Sequence, residues 1–405
     1  MTNLSVRELL EGFDSKLDLT IFGFLLLFLL CSAFSIFMAQ VGYFGALVLW
    51  IAGMIRRRSL DFPRTRLDLF FLFFMVAEVA SMLFAHNKPQ ALLYMQRRIL
   101  LLPIIYVLVA NVRSIPALRT LFVAIVVSAV GVALWSCRDL FQHFPEYLRF
   151  QRRLSEFQIY MTAGGIMMIA ILLILPFTLH KDTPRKLRWT ALGLLIPIGG
   201  NLLFTFTRSS WLGFIAGSIL IGARRHLRLA LPLLAGIVAL IVFVSSPEMQ
   251  ERMLSAFDPS HPNNATRLHM WKVGWRMFLD HPVVGIGDIG TEHLWSRYAE
   301  PGWNPEGHLH NNLVMWLATL GLLGFLSLVG VFMMIWRTVS SIERQCKDNW
   351  FLGSLSLGSL AALVGFHVNG LFEWNFGDAE IIMLIWAIVG LTLAAGRIAQ
   401  KEIPS

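Results

Sequence analysis

Long apolar runs separated by short polar segments dominate this chain. A helix needs about 20 apolar residues to cross the hydrocarbon core of a bilayer, and runs near that length recur along the sequence. Twelve are present, at 19–38, 40–55, 67–85, 92–110, 117–137, 159–179, 187–206, 209–223, 227–245, 310–336, 350–371 and 376–396. The pattern predicts an all-α polytopic membrane protein with about 12 transmembrane helices.

Composition narrows the class of protein in the same direction. Of the 405 residues, 56% are hydrophobic and 15% are charged, whereas soluble domains carry about 25% charged residues. Three widely spaced cysteines argue against a disulfide framework. The net charge of +9 could suggest nucleic acid, but basic residues in a membrane protein mark its cytoplasmic loops. We therefore expect membrane lipids around the chain and no nucleic acid.

The basic residues also predict the orientation of the chain. Lys and Arg are concentrated in alternate connections, at 56–66, 112–119, 180–188, 223–228 and 337–347. The positive-inside rule places these connections and both termini in the cytoplasm. The predicted organisation is spans 1–9 with short loops (1–245), one large outer loop (246–308), and spans 10–12 with the C-terminus (309–405).

The outer loop contains an amphipathic segment at 266–280. Thr266 is expected to cap a helix there, with Arg267 at the start of its aromatic face. Such a helix would lie on the membrane over a polar cavity. The sequence Gly-Ile-Gly-Asp-Ile-Gly (285–290) fits GxGxxG, but no strand precedes it. We therefore interpret it as a turn and not as a dinucleotide site.

Basic residues on the predicted outer face oppose the insertion bias, which suggests an anionic ligand. They are Lys88, Arg97, Arg98, Arg138, Arg149, Arg152, Arg153 and Arg208. Contact with lipid phosphates is the alternative explanation, and for Arg152 and its neighbours the two are equally favoured. Arg208 lies between two spans with almost no loop, where a guanidinium can bind an oxyanion with two hydrogen bonds.

The segment His308-Leu-His310-Asn311-Asn312 marks the point where the outer loop re-enters the membrane. Polar side chains at such a point are costly unless they line a wet cavity. An HxH pair can bind a metal, but no further ligand has a recognisable spacing. We therefore predict no metal, and a general base or hydrogen-bonding role for His310. A third polar segment, 373–378, could position a sugar hydroxyl, but we favour an ordinary turn.

These segments resemble the O-antigen ligase family. Thr-Arg-Ser-Ser-Trp-Leu-Gly (207–213) is similar to the family's arginine motif. Arg267, ahead of His-Pro-Val-Val-Gly-Ile-Gly (281–287), also matches. His310-Asn311, followed after nine residues by Gly-Leu-Leu-Gly, resembles the family signature His-[Asn/Ser/Gln]-x9-Gly-x-x-Gly. The twelve-span plan and the large loop extend the resemblance over most of the chain.

The resemblance implies a glycosyltransferase of the Gram-negative inner membrane whose active site faces the periplasm. The donor would be O-antigen on undecaprenyl diphosphate, and the acceptor would be a sugar hydroxyl of lipid A-core in lipopolysaccharide biosynthesis. Family members invert the anomeric centre and need neither a metal nor another cofactor. The reaction would therefore depend on side chains alone.

The resemblance and the chemistry together suggest roles for individual residues. His310 would be the general base, because imidazole titrates near pH ~6.5. Guanidinium groups would stabilise the charge that grows on the diphosphate. The strongest candidates are Arg208 and Arg267, followed by Arg97, Arg98, Arg152 and Arg153. Supporting roles would fall to Asn311, His308, Ser209 and Trp211.

Three alternatives remain at this point. An O-antigen polymerase and a protein O-oligosaccharyltransferase would use the same donor with another acceptor, and the His310-Asn311 signature favours the ligase over both. A transporter or flippase should place ionisable residues near mid-membrane. Here such residues are few, Glu78 being the clearest, and the polar groups cluster at one face. This distribution favours an enzyme.

Overall fold

The computed structural model describes residues 13, 15–59, 62–149, 153–154, 157–225, 262–287, 294–304 and 307–402. Within these residues the chain is helical, and no strand occurs among them. The helices are α1 (Lys16–Cys31), α2 (Ile36–Arg57), α3 (Asp68–Phe84), α4 (Lys88–Ile99), α5 (Pro103–Asn111), α6 (Ile115–Gln142), α7 (Phe144–Arg149), α8 (Tyr160–Leu179), α9 (Arg185–Phe204), α10 (Arg208–Arg225), α11 (Pro262–Asp280), α12 (Trp295–Tyr298), α13 (Asn312–Gln345), α14 (Trp350–Asn369) and α15 (Ala379–Glu402).

The all-α membrane fold predicted from the apolar runs is confirmed. Eight helical segments of the described chain are long and apolar enough to cross a bilayer. α1, with 16 residues, overlaps the first predicted span, 19–38, but it ends at Cys31, and residues 36–38 belong to α2. α3, with 17 residues, and α10 also overlap predicted spans. The ninth predicted span, 227–245, lies outside the described residues, so the count of twelve stays a prediction.

Three helices, α8, α10 and α14, pack against one another, and small residues let them approach closely. α14 packs against both α8 and α10. A Cβ atom on Gly213 would lie 2.6 Å from the carbonyl oxygen of Gly365, and one on Gly217 would lie 2.8 Å from that of Ala361. Such glycine contacts replace the hydrophobic effect as the source of helix association in lipid. They bring the start of α10 next to the end of α14.

The fourth predicted span is one apolar run that the structure divides into α4 and α5. The break precedes Pro103, which occupies the first turn of α5, where a missing N–H leaves no helical hydrogen bond unmade. The hydroxyl of Tyr43 donates to the carbonyl oxygen of Leu100, at 2.6 Å. A side chain of α2 therefore satisfies one of the carbonyl groups at the break.

The helix predicted at 266–280 exists, but its start was predicted wrongly. α11 begins at Pro262, and the Thr266 hydroxyl lies inside it and donates to the carbonyl oxygen of Pro262, at 2.9 Å. Thr266 is therefore not the cap, because proline at the start of a helix already supplies the required backbone geometry. α11 packs against α13, and its Gly274 lies against Leu309 and Val314.

The turn after α11 holds α13 at a kink, in an arrangement that we term the clasp (residues 282–287 with 318–323). Gly321 interrupts α13 with a φ of 62°, a left-handed conformation that favours glycine. The N–H groups of Ile286 and Gly287 donate to the carbonyl oxygens of Ala318 and Thr319, at 3.0 and 3.1 Å. The described part of the turn predicted at 285–290, residues 285–287, therefore satisfies backbone groups left open by the kink, and residues 288–290 lie outside the described residues.

Candidate functional site

A cavity of about 400 Å³ opens where α8, α10 and α13 begin and where α14 is joined to α15. Its lining includes three arginines, one histidine and one glutamate, together with hydroxyl groups from the starts of α8 and α10 and from α11. The lining residues are Arg153, Tyr160, Met161, Phe206, Thr207, Arg208, Ser209, Thr266, Arg267, Met270, His310 and Glu373. Segments far apart in sequence thus place cations and a titratable pair in one space.

The titratable pair is His310 and Glu373. The Nδ1 atom of His310 lies 2.9 Å from Oε1 of Glu373, and the two side chains are 15% and 10% exposed. Burial raises the pKa of Glu373, but its hydrogen bond to His310 and the charges of His308 and Arg267 outweigh burial and hold the pKa below its usual value. The ionised carboxylate can only accept a hydrogen bond. Neutral His310 therefore carries its proton on Nδ1 and leaves Nε2 free of one.

The backbone at His310 is held in an uncommon conformation. Its φ is 46°, in the left-handed region where non-glycine residues are rare. Asn311 is the N-cap of α13, and its side-chain oxygen accepts from the N–H groups of Leu313 and Val314. Its amide nitrogen donates to the carbonyl oxygen of Leu371, at 2.9 Å. Asn311 therefore ties the start of α13 to the segment that carries Glu373.

Asn312 adds a second tie between the same two segments. Its amide nitrogen donates to the side-chain oxygen of Asn375, at 2.5 Å, and its own oxygen accepts from the N–H of Phe376. Asn312 and Asn375 are 2% and 1% exposed. Buried polar groups with matched partners fix one arrangement of the surrounding chain, and these amides fix the distance from His310 to Glu373.

Arg208 is the first residue of α10, directly after a tight turn. Phe206 in that turn has a φ of 49°, so left-handed residues precede α10 and α13 alike. The Thr207 hydroxyl donates to the carbonyl oxygen of Tyr160, at 3.1 Å, and the amide of Asn369 donates to the Ser210 hydroxyl, at 2.8 Å. These bonds hold the start of α10 against α8 and α14. Backbone N–H groups of the first helical turn and the Arg208 side chain together favour an anion at this point.

Arg267 reaches the cavity from α11, where burial lowers the pKa of its guanidinium. The charges of Glu373 and Tyr160 raise that pKa, and the charge of Arg153 lowers it. The guanidinium of Arg153 lies 4.1 Å from the centre of the Tyr160 ring, a cation–π contact. Arg267 and Arg153 are also close enough to Arg208 to repel it. An anion would relieve this repulsion.

The same part of the site also contains a possible set of metal ligands. His308, His310 and Glu373 each offer a ligand atom, all within 4.8 Å of one another, and the third ligand was not predicted. Zinc accepts such a set. However, three cations around one carboxylate oppose a divalent cation and favour an anion. The Nδ1 atom of His310 is also engaged with Glu373. The residues therefore fit an anion better than a metal.

Two predicted diphosphate ligands do not line this cavity. Arg98 instead forms a bidentate ion pair with Glu78 of α3, with N···O distances of 2.8 Å. The guanidinium of Arg97 lies 5.6 Å from the centre of the Tyr94 ring. Arg152 lies outside the described residues. Of the six predicted arginines, the structure brings Arg153, Arg208 and Arg267 together.

The predicted supporting residues have different positions. Ser209 lines the cavity, whereas the indole N–H of Trp211 donates to the carbonyl oxygen of Leu202, at 3.1 Å, and fastens α10 to α9. The His308 ring lies beside the His310 ring, with 4.1 Å between centroids. Asn311 supports the site through the backbone, as described above.

Sequence reasoning missed Glu373 and Tyr160. Glu373 belongs to the 373–378 segment that we interpreted as an ordinary turn, and Asp378 in that segment also faces α8, where it accepts from the Thr162 hydroxyl. Burial raises the pKa of Asp378 to about 7. The signal was the density of polar residues between two spans, but no local spacing connects Glu373 to His310.

Comparison with known proteins agrees with the resemblance found in the sequence. Residues 191–329 match the family described as O-Antigen ligase. The matched range includes Arg208, Arg267 and His310. Arg153, Tyr160 and Glu373 lie outside it.

Two relatives extend the similarity. The chain is 24% identical to the teichuronic acid biosynthesis protein TuaE of Bacillus subtilis (strain 168), over 91% of this chain and 80% of that protein. It is 20% identical to a candidate polysaccharide ligase, RC0486, of Rickettsia conorii (strain ATCC VR-613 / Malish 7), over 59% of each. Together with the family match, these relatives support a role in polysaccharide ligation or polymerisation.

A solved structure of a peptidoglycan synthase complex contains a chain with limited similarity. That similarity covers 84% of this protein and 99% of the solved chain, with 16% identity and a TM-score of 0.43. The score is too low to establish a common fold.

Proposed function

We propose that this protein, whose residues 191–329 match the O-Antigen ligase family, transfers O-antigen polysaccharide from undecaprenyl diphosphate to a sugar hydroxyl of lipid A-core. The protein would lie in the inner membrane of a Gram-negative bacterium, with the cavity facing the periplasm and both termini in the cytoplasm. One observation carries the proposal: the His310–Glu373 pair and three arginines share one cavity. A glycosyl diphosphate presents its reacting carbon next to the charges that such arginines stabilise.

The proposed reaction is a single inverting displacement. The acceptor oxygen attacks the anomeric carbon from the face opposite the diphosphate, and its proton passes to Nε2 of His310. The bond between that carbon and the phosphate oxygen breaks, and the electron pair leaves with the undecaprenyl diphosphate. Glu373 holds the His310 tautomer and stabilises the imidazolium that forms.

The arginines would act on the leaving group. Negative charge grows on the diphosphate as the bond breaks, and fixed donors aimed at that charge lower the barrier. Arg208 and Arg267 lie on separate helices, so together they can contact a diphosphate from two sides. Arg153 adds a third charge, held by the Tyr160 ring.

The direct test uses purified protein with undecaprenyl-linked O-antigen and lipid A-core, and gel analysis of the products. Polymer attached to lipid A-core is the expected product. Growth of the undecaprenyl-linked chain without attachment would make the protein a polymerase. In cells, a deletion strain should lose lipopolysaccharide ladders and accumulate undecaprenyl-linked polymer, whereas one repeat on the core would again indicate a polymerase.

Transfer should persist in EDTA and without ATP. The three cations of the cavity oppose a bound divalent metal, and the proposed displacement uses side chains alone. The measurement is initial rate before and after chelation, followed by addition of Mg²⁺, Mn²⁺ or Zn²⁺. Activity lost in EDTA and restored by one of these ions would make His308, His310 and Glu373 metal ligands and overturn the arginine mechanism.

A further inference from the structure

A second and larger cavity lies at the opposite end of the bundle. Its volume is about 570 Å³, and it is lined by the end of α2, the chain after it, the end of α5 and the last turns of α15. α15 begins one residue after Asp378, beside the first cavity, and reaches this one at Arg397. At 1.5 Å per residue, the two cavities are about 30 Å apart.

The charged residues that line this second cavity are all basic, and one of them, Arg57, also lies 3.8 Å from the carboxylate of Asp18, which is outside the lining. Arg57, Arg113, Arg397 and Lys401 belong to its lining, and the lining contains no carboxylate among the residues that the structure describes. Arg397 is held in place by a hydrogen bond of 2.7 Å to the carbonyl oxygen of Arg64. The Nε of Arg113 donates to the carbonyl oxygen of Ala110, at 3.1 Å. Backbone contacts therefore orient two of the four cations.

The remainder of the wall is apolar and aromatic. Trp50 and Ile398 are buried, Phe62 is 49% exposed, and Met54 and Val109 complete this part of the wall. Soluble anions do not need an apolar wall, whereas a phospholipid carries glycerol and acyl carbons directly behind its phosphate. A volume within the usual range for ligand sites, several cations and apolar sides together match an amphiphile with an anionic head.

We propose that this cavity binds the headgroup of an anionic membrane phospholipid, with the phosphate among Arg57, Arg113 and Lys401 and the glycerol backbone against Trp50 and Phe62. Basic pockets between transmembrane helices on the cytoplasmic side recognise such headgroups. The site is distinct from the transfer cavity and does not depend on the proposed reaction. Its occupant would join α2, α5 and α15 at the leaflet opposite the transfer cavity.

Delipidated full-length protein in neutral detergent provides the test, with lipid binding measured by native mass spectrometry. The probes are phosphatidylglycerol, cardiolipin, phosphatidylcholine and soluble glycerol 3-phosphate. We expect the two anionic lipids to bind about tenfold or more tightly than phosphatidylcholine, with affinity that falls as salt rises. Equal binding of phosphatidylcholine would contradict the proposal, and equal binding of glycerol 3-phosphate would replace the lipid with a soluble phosphate ester.

A pair of variants assigns the site. The double variant Arg113→Gln, Lys401→Gln should lose about tenfold or more of the affinity for phosphatidylglycerol. The matched control is Arg185→Gln, Lys186→Gln, which removes the same charge from the exposed start of α9 at the same end of the bundle. The single variant Arg57→Gln serves if the first double variant misfolds. An unchanged affinity in the cavity variants, or an equal loss in the control, would overturn the assignment.

Discussion

Two buried glutamates of this protein have different partners. Glu78 in α3 is 1% exposed and bound by the Arg98 guanidinium in a bidentate pair, so each charge cancels the other. Glu373 is similarly enclosed, but its hydrogen-bonding partner is the imidazole of His310. This pair shares its cavity with Arg153, Arg208 and Arg267. The comparison indicates that a buried arginine–glutamate pair stabilises structure, whereas a glutamate–histidine pair that shares a cavity with three arginines can support chemistry.

The largest expected effect comes from removal of the proposed base. His310→Ala should bind donor but transfer about a hundred- to ten-thousandfold more slowly. His310→Gln should be nearly as slow, because glutamine forms hydrogen bonds without taking the proton. The measurement is single-turnover transfer with donor binding measured separately.

The pH profile separates a base from a structural role at His310. Wild-type transfer should slow in acid as the proposed base becomes protonated, and the residual activity of His310→Ala should lack this acid limb. His308→Ala should be much milder. A His310→Gln rate within a few-fold of wild type, with its acid limb intact, would refute the base assignment.

Arg208→Lys and Arg267→Lys should each slow transfer by about a hundred- to a thousandfold. Both variants keep the charge but lose the planar fork that a guanidinium presents to phosphate oxygens. Rates at saturating donor show the loss, and Arg97→Lys is a control on the same predicted face. Near-normal turnover in either cavity variant would mean that its arginine does not stabilise the leaving group.

Glu373→Gln should slow transfer by about ten- to a hundredfold, as expected when a histidine loses its orienting carboxylate. Its acid limb should also move to lower pH, because the protonated imidazole loses a negative partner. The lowered pKa of Glu373 means that its ionised form stabilises the folded state. The stabilisation of the folded state by Glu373 is fully present above the pKa of this carboxyl in the unfolded chain, and it is lost as pH falls through the lower pKa in the folded protein. Glu373 itself therefore does not produce an acid limb near neutral pH. A limb that stays in place in Glu373→Gln would contradict the pairing.

Arg98→Gln should have the smallest effect on rate and a clear effect on stability. Breaking a buried ion pair by removal of one partner costs about 3–5 kcal/mol, which should lower the unfolding temperature in detergent by several degrees. Transfer per folded molecule should stay within a few-fold of wild type. A hundredfold slower rate at an unchanged unfolding temperature would mean that Arg98 binds the donor after all.

The sequence predicted what depends on local pattern. The bilayer imposes the length and apolarity of each span, so the all-α membrane fold was evident from the runs alone. Arg208 and His310 were evident because polar residues at the end of a span are costly without a purpose. Glu373 was not evident, since it lies 63 positions after His310 in the sequence. Similarly, no pattern in the sequence indicates that Glu78 pairs with Arg98, so Arg98 was wrongly counted among the diphosphate ligands of this cavity.

The clasp at Gly321 gives the spacing of the His310 signature a geometric meaning. Nine residues separate Asn311 from Gly321, and all lie on one helical segment whose far end is held by the Gly285–Gly287 turn. The length of this segment therefore fixes both the distance from Gly321 to His310 and the direction in which His310 points around the helix axis. One residue more or fewer would turn His310 by about 100° around the helix axis and away from Glu373, whatever side chains occupied the positions between.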